Sequence, residues 1–563
     1  MKTDKITGSE ALLRTLINEG VECIFGYPGG QAIPIYDRLY DYKDKLRHVL
    51  VRHEQGATHA AQGYARVSGR VGVTLVTSGP GATNTVTGIA DAMLDSTPLV
   101  VITGQVASPL LGTDAFQEVD VIGITLPITK WAYQIRRPED VVWAVSRAFY
   151  IASTGRPGPV VIDISRDAQV GLVDYVYEKI EFIRSYQPLP AIDRERVRKA
   201  ADLINSAKKP FALIGQGVIL SGAEKELKGF LEAADIPAAT TMLGLSAMPT
   251  GYRLNKGMLG MHGNVGPNRK TNECDVLIAI GMRFDDRVTG GLNTYAKQAK
   301  VIHFDIDVSE LDKNVKTEVK VLGNAKDTLR AVTKLLKPAK HDKWISSFAA
   351  DEKEEAKKVI EKELTPKGKQ LRMGEVVRKV SDATGEKAVL VTDVGQNQMM
   401  AVRYFKFTKT RSVVTSGGLG TMGFGLPASI GAKIGAPDRT VCLFLGDGGM
   451  QMTLQELGTI MQENLNIKII LLNNNYLGMV RQWQQLFYEE RYSSTEMKNP
   501  DFVGIAKAFN IGAREVSRRE DLDSAIKDML EYDGPFLLVA NVEKCGMVYP
   551  MVPAGGCITE MIY

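Results

Sequence analysis

A chain of 563 residues exceeds what one hydrophobic core usually organises, which predicts several domains around a large buried interior. With 44% hydrophobic and 24% charged residues, the composition is that of a soluble globular protein and excludes a disordered one. A formal charge of +4, without any dense Lys/Arg block interleaved with aromatics, argues against nucleic acid as a partner and leaves small molecules.

The N-terminal MKTDKITGSEALLRTLINEG leads into an amphipathic helix pattern rather than a secretory signal. No apolar run reaches about 18 residues, so no membrane contact is expected and the prediction is a soluble, cytoplasmic protein. The five cysteines, Cys23, Cys274, Cys442, Cys545 and Cys557, lack any CxxC spacing and are read as structural. Short apolar runs alternate with helical patterns across glycine-rich turns, which predicts α/β layers with parallel sheets. Residues 71–76, the loop SGPGATN, a helical stretch and residues 98–103 read as strand, turn, helix, strand. That first block ends near Gln187. A second opens at 210–214, runs into Gly215-Gln216-Gly217 and adds strands at 276–280 and 301–304, a Rossmann-type pattern. The lysine-rich stretch from about 334 to 369 contains one helical pattern and reads as a solvated connector. The expected division is therefore 1–187, 188–340, a connector over 341–369, and 370–563.

The last block carries the most informative segment. A strand at 441–445 ends in Gly446-Asp447-Gly448-Gly449-Met450, and Leu454, Leu457, Ile460 and Met461 then fit one helical face. The chain returns through 467–472 and stops at Asn473-Asn474-Asn475, a right-handed βαβ unit. Parallel strands bring Asp447 and Asn474 to one carboxyl edge of the sheet, where ligands bind. One carboxylate, one amide oxygen and the Tyr476 carbonyl offer three hard oxygens to Mg²⁺, leaving its other positions to diphosphate and water. The glycines allow close backbone approach to phosphates, and the helix N-terminus favours their charge. GDG alone is also an ordinary turn and Asn-Asn a polar loop. At this spacing they form the thiamine-diphosphate signature. Such chemistry needs a carboxylic group beside the aminopyrimidine. Glu54, before the small-residue helix 57–65, is the candidate, expected to be buried with its pKa raised above about 4.3. By itself, a glutamate there is more often a helix cap or a surface charge.

Taken together, FGYPGG, RHEQGATHAAQGYAR, TSGPGATN, GTDAFQE, RPGPV, GMHG, GMRFDDRVTG, SGGLGTMGFGLPA, GDGGM and NNNYLGMVRQWQ resemble the acetohydroxyacid synthase large, catalytic subunit over essentially the whole chain. Generic thiamine motifs occur in decarboxylases, oxidases and carboligases, whereas RFDDRVTG and GMVRQWQ resemble the synthase more narrowly. The resemblance implies an α/β protein of three Rossmann-like, doubly wound parallel-sheet domains: pyrimidine-binding, central FAD-binding-like and diphosphate-binding. It implies that pyruvate is decarboxylated on thiamine diphosphate and its hydroxyethyl unit passed to a second pyruvate or to 2-ketobutyrate. The product would be 2-acetolactate or 2-aceto-2-hydroxybutyrate, the first common step toward valine, leucine and isoleucine.

By the same resemblance, Glu54, Gly30 and Gln117 match catalytic positions, and Asp447, Asn474 and Tyr476 match metal ligands. Gly395, Gln396, Asn397, Gly446, Gly448, Gly449, Gly478 and Met479 match thiamine-diphosphate contacts, with Met422 propping the cofactor in its bent form. Arg156, Gly215, Gly217, Gly260, Met261, His262, Arg283, Asp305 and Gln398 match contacts to an FAD with no redox role. Phe116 would wall the active cavity, Arg287 would grip the acceptor carboxylate, and the Trp483 face would favour the extra methyl of 2-ketobutyrate. Asn324 departs from the family, which commonly has an aspartate there. A homodimer or homotetramer with active sites between subunits, and a smaller regulatory subunit, are also implied. Two other readings stand beside this one: a thiamine- and flavin-dependent pyruvate oxidase, and a non-catalytic nucleotide-binding or assembly protein that keeps the fold.

Overall fold

The computed structural model describes residues 5–563. In the first domain the strands are β1 (Lys5–Thr7), β2 (Cys23–Gly26), β3 (Arg47–Leu50), β4 (Gly72–Val76), β5 (Leu99–Gln105), β6 (Trp131–Ile135), β7 (Pro159–Ser165) and β8 (Leu172–Asp174). Strands β2 to β7 form a parallel sheet in the order β3-β2-β4-β5-β7-β6, while β1 pairs antiparallel with β8. The middle domain contributes β9 (Pro210–Ile214), β10 (Ala238–Thr240), β11 (Asn255–Met258), β12 (Val276–Ile280), β13 (Lys300–Asp305) and β14 (Val319–Leu322). Their order, β11-β10-β9-β12-β13-β14, is that of a Rossmann sheet. The third domain holds β15 (Val389–Thr392), β16 (Val413–Val414), β17 (Val441–Gly446), β18 (Ile467–Asn473), β19 (Gly512–Val516) and β20 (Phe536–Asn541), ordered β16-β15-β17-β18-β20-β19.

Renumbered within each domain, the first and third sheets share the order 2-1-3-4-6-5. Strands β4, β5, β7 and β12 are buried along their whole length, as parallel sheets covered by helices on both faces require. The two matching domains share one core, which runs from Phe25, Val49 and Ala61 into Ala428, Leu443 and Ile469. Its centre is a crossing of helix Glu54–Ser68 over helix Gly425–Gly435. A Cβ on Gly63 would stand 2.0 Å from the Ala428 carbonyl oxygen, and one on Gly431 would stand 1.7 Å from that of Ala60. Only glycine permits backbones this close.

Two expectations need correction. The 334–369 stretch is not a solvated connector. Helices Asp342–Ser346 and Phe348–Glu355 bury Trp344 and Phe348 against the middle sheet, and Trp344 Nε1 donates to the Pro210 carbonyl at 2.8 Å. Glu355 forms a buried ion pair with Arg403 of the third domain, and Asp351 pairs with Arg269 at 2.9 Å. The lysines occupy one side of these helices and hid the other. Nor is the segment after GDGGM a single helix: Asp447–Met452 stops at Thr453, and Leu457–Gln462 follows a short 3-10 turn. Thr453 Oγ1 donates to the Gly423 carbonyl at 3.0 Å, so this polar anchor wins over the continuous apolar stripe and leaves Met461 38% exposed. Among the described residues, no helix is long and apolar enough to cross a membrane.

Gly63→Ala or Gly431→Ala is expected to destabilise the chain by about 1–3 kcal/mol through overpacking. Thermal unfolding would show a lowered Tm; an unchanged Tm would mean that the crossing relaxes freely.

Candidate functional site

The diphosphate half-site lies where β17 and β18 end side by side, with Gly446 in register with Leu472. Asp447 and Asn474 emerge there, 1% and 4% exposed. Burial pushes the Asp447 carboxyl above its ordinary range, while hydrogen bonds from Asn499 and from backbone amides pull the other way. Asn499 was not foreseen. Its Nδ2 donates to Asp447 Oδ2 at 2.7 Å, Asn473 Oδ1 at 2.9 Å and Asn475 Oδ1 at 3.0 Å, tying both strand ends together. It stands outside the motif in a loop, and a lone asparagine there carries no sequence signal.

The remaining predicted residues of this half converge. Asn474 Nδ2 donates to Gln396 Oε1 at 3.3 Å, and the Tyr476 amide donates to Asn474 Oδ1 at 3.2 Å. A Cβ on Gly446 would meet Asn397 Nδ2 at 3.2 Å, and one on Gly478 would meet Gln396 Oε1 at 2.2 Å. On Gly448 it would lie 3.3 Å from Met422 Cε, and on Gly449 2.3 Å from Asp393 Oδ1. Asn397 Oδ1 is buried without a hydrogen-bond partner. A cradle of glycines, a desolvated carboxylate and an unpartnered amide oxygen suit a diphosphate carrying a hard cation. Among the described residues no group of three or more His, Cys, Asp and Glu could hold a metal ion, so a cation here would draw on amide and carbonyl oxygens beside the Asp447 carboxylate.

The acid half-site belongs to the first domain. Helix Glu54–Ser68 starts at Glu54, whose Oε2 accepts from Asn84 Nδ2 at 3.0 Å and whose Oε1 lies 3.6 Å from where a Cβ on Gly81 would sit. Both partners come from the SGPGATN turn. Gln117 has φ +60 and packs on Gly79, where a Cβ would lie 2.9 Å from the Gln117 carbonyl oxygen. Thr77 Oγ1 accepts from the Gln31 amide at 3.2 Å and so holds the turn that carries Gly30. Glu54, Gly30 and Gln117 therefore surround one loop. Glu54 is half-buried within the single chain rather than buried as expected, and Phe116 is 82% exposed instead of walling a cavity. Both side chains stand at the edge of their own domain. Among the described residues, no hydrogen bond joins Glu54 to the Asp447 group.

A third feature is a cavity of about 780 Å³ between the domains. Arg156, Gly217, Gly260, Met261, His262, Arg283, Asp305 and Gln398 line it, as do Arg287, Met479 and Trp483. Gly215 does not. Its Cβ would lie 2.1 Å from the Gly281 carbonyl oxygen, so it serves the packing of the strand end. Arg156 Nη1 pairs with Glu310 at 2.7 Å and Asp307 at 3.3 Å. Burial pushes His262 down to about 4, and its Nδ1 lies 3.3 Å from the Pro550 carbonyl, which fits a neutral ring with the proton on Nδ1. Arg287 is exposed, 3.7 Å from Asp286 and without a tight carboxylate partner. The stretch Ser416 to Gly420, noted in the sequence only as part of the SGGLGTMGFGLPA motif, also lines the cavity.

Two facing nucleotide-type domains, a GDG/NN edge and a separate carboxylate define the class as a thiamine pyrophosphate enzyme. Residues 6–124 match "Thiamine pyrophosphate enzyme, N-terminal TPP binding domain", residues 197–332 its central domain and residues 393–540 its C-terminal TPP binding domain. The acetolactate synthase large subunit of Corynebacterium glutamicum is 45% identical, covering 100% of this chain and 90% of the relative. Isozyme 2 large subunit of Escherichia coli K12 is 42% identical, covering 99% of both chains. The Lactococcus lactis large subunit is 43% identical, covering 100% of this chain and 97% of its own length. The chain belongs to the acetolactate synthase large-subunit family.

Asp305 yields a pH prediction. Burial raises its carboxyl to about 7, with Asp307 and Glu310 adding to the shift. A raised carboxyl contributes stability that is complete below the unfolded value, about 3.9, and is lost as pH rises toward the folded one. The cofactor-free chain should therefore lose stability relative to Asp305→Asn between about pH 4 and pH 7, with the difference constant above that. Tm measured across this range checks it; parallel curves throughout would contradict the assignment.

Proposed function

We propose that the chain is an acetolactate synthase catalytic subunit: it removes CO₂ from pyruvate and joins the remaining two-carbon unit to a second 2-keto acid. The observation that carries this reading is that Arg287, Met479 and Trp483 line one cavity, with Met479 following directly on Gly478 at the diphosphate half-site. An acceptor bound by Arg287 would sit beside the reacting centre.

Asp447, Asn474 and the Tyr476 carbonyl would hold Mg²⁺, and Gly395, Gln396, Asn397, Gly446, Gly448 and Gly449 would receive the diphosphate. Thiamine diphosphate, when bound, supplies a carbon nucleophile and an electron sink for the decarboxylation. Glu54 would hold or give a proton at the aminopyrimidine ring, with Asn84 orienting its carboxyl. Met422, against Gly448, would support the bent cofactor. Arg287 would fix the acceptor carboxylate through two N–H donors, and the Trp483 indole would contact its alkyl group. The cavity's volume suits a dinucleotide. Gly217, Gly260 and Gly281 line it beside Arg156 and Arg283, and FAD is the assigned occupant, in a non-redox role. Because Glu54, Gly30 and Phe116 stand at the margin of their own domain, the acid half-site is assigned to the diphosphate half-site of a second copy, in a homodimer or homotetramer. The relatives' designation as large subunits supports a smaller regulatory companion.

The test is pyruvate with and without 2-ketobutyrate, with products identified and flavin absorbance followed. Carbon–carbon products with oxidised flavin are expected; flavin reduction outrunning ligation would instead mark a pyruvate oxidase. Glu54→Gln should abolish turnover, and Trp483→Leu should shift acceptor preference toward pyruvate by about 1–3 kcal/mol. Full activity in Glu54→Gln would refute the acid assignment.

A further inference from the structure

Two buried carboxylates outside these sites, Asp91 and Asp95, lie one helical turn apart, in the last turn and just beyond the end of helix Val86–Leu94 of the first domain. They are 0% and 1% exposed. Neither binds its own domain's sheet; both reach into the third domain. Asp95 Oδ2 accepts from the Gly417 amide at 2.8 Å and Oδ1 from the Gly418 amide at 2.7 Å. Arg66 Nη2 adds an ion pair to Oδ2 at 2.8 Å, and Arg66 Nη1 donates to the Thr415 carbonyl at 2.6 Å. Asp91 Oδ1 accepts from the Ser416 hydroxyl and from Thr421 Oγ1, the latter at 3.0 Å. The Thr421 amide returns to Ser416 Oγ at 2.9 Å.

The segment gripped in this way, 415–421, supplies the stretch Ser416 to Gly420 of the large cavity's wall and leads directly into Met422. Gln398 holds its other side, donating to Thr415 Oγ1 at 2.8 Å and to the Ser416 carbonyl at 2.9 Å. The neighbouring Ser96 Oγ accepts from Arg156 Nε at 2.9 Å, so one helix end addresses both sides of the cavity. Arg66 belongs to the helix that begins at Glu54. These contacts are charge-assisted and desolvated, the setting in which loss of one partner is most costly.

We propose that Asp95 is a positioning residue, supported by Asp91: through Gly417 and Gly418 it fixes the 415–421 segment as the flavin-side wall and sets Met422 against the diphosphate half-site. The two carboxylates are not equivalent. Asp95 uses both oxygens and neutralises Arg66, whereas Asp91 Oδ2 is buried without a partner. Burial and the adjacent Asp95 push the Asp91 carboxyl above its ordinary range. An amide at 91 keeps an oxygen for Ser416 and Thr421; an amide at 95 leaves the Arg66 charge without its carboxylate and gives up at least one glycine amide.

The consequence for flavin rests on the cavity reading given under Proposed function; the fixing of the segment does not. The full-length chain and its variants would be titrated with FAD by fluorescence, and hydrogen exchange would be followed at residues 415–422. Asp95→Asn should weaken FAD binding by about tenfold or more and speed exchange at Gly417 and Gly418, while Asp91→Asn should weaken binding by about threefold or less. If Asp95→Asn does not fold, Gly418→Ala carries the test through exchange: its Cβ would stand 2.9 Å from Asp95 Oδ1, lifting the segment with both carboxylates intact, and 3.3 Å from Arg283 Nη2, so faster exchange at residues 415–422 is the deciding readout. Wild-type exchange in the variants that fold would overturn the proposal, as would faster exchange with undiminished FAD affinity. A wild-type chain that takes up no FAD overturns the cavity reading separately, and exchange then decides the positioning role.

Discussion

The close crossing of helix Glu54–Ser68 on helix Gly425–Gly435 is the contact on which the rest of the molecule depends. Where a Cβ at Gly63 or Gly431 would coincide with a facing carbonyl, the two domains that share a strand order also share a core. One of these helices begins at the candidate acid, and the other follows the Met422 turn. A packing constraint therefore fixes the orientation of two pieces of chemistry that lie in different domains. Sheets of this kind bind ligands at their carboxyl edges, so setting the relative orientation of the two sheets also sets how their sites face.

The chemistry of each half follows from what surrounds it. Around Asp447 almost every other donor or acceptor is neutral: Asn474, Asn499, Asn397, Gln396 and backbone groups. The neighbouring buried Asp393 is taken up by the Val394, Gly423 and Gly425 amides, so Asp447 is the desolvated carboxylate with demand for a cation, in a shell that leaves room for phosphate oxygens. The large cavity is of mixed charge, with Arg156, Arg283 and Arg287 lining it beside Asp285, Asp286, Asp305, Glu310 and the glycine turns. Of its arginines, Arg287 is the exposed one without a tight carboxylate partner, which suits a small carboxylate at that end of the cavity.

Much of this was legible in the sequence because it is local. Parallel strands read as apolar runs, and GDG and NN sit at the ends of two of them, so the βαβ unit places Asp447 beside Asn474 without further information. What escaped was what depends on distant partners. Asn499 acts through three strand-end contacts that no spacing reveals. Trp344 and Phe348 lie among lysines, and the charge pattern describes only the side of the helices that faces water. Asp91 and Asp95 look like a helix's polar face until the third domain closes over them. Glu54 was expected to be buried, but the single chain covers only part of it; under the proposed assignment a second copy would supply the rest.

The central claim is that each working site combines the Glu54 half of one copy with the Asp447 half of another. Mixing purified Glu54→Gln and Asp447→Asn chains, each inactive, after dissociation and reassociation tests it directly. Mixed dimers would contain one doubly altered site and one intact site, restoring about a quarter of wild-type activity for random pairing. A mixture as inactive as its components, with mixed dimers demonstrated by mass, would place both halves of the site in one chain and contradict the account.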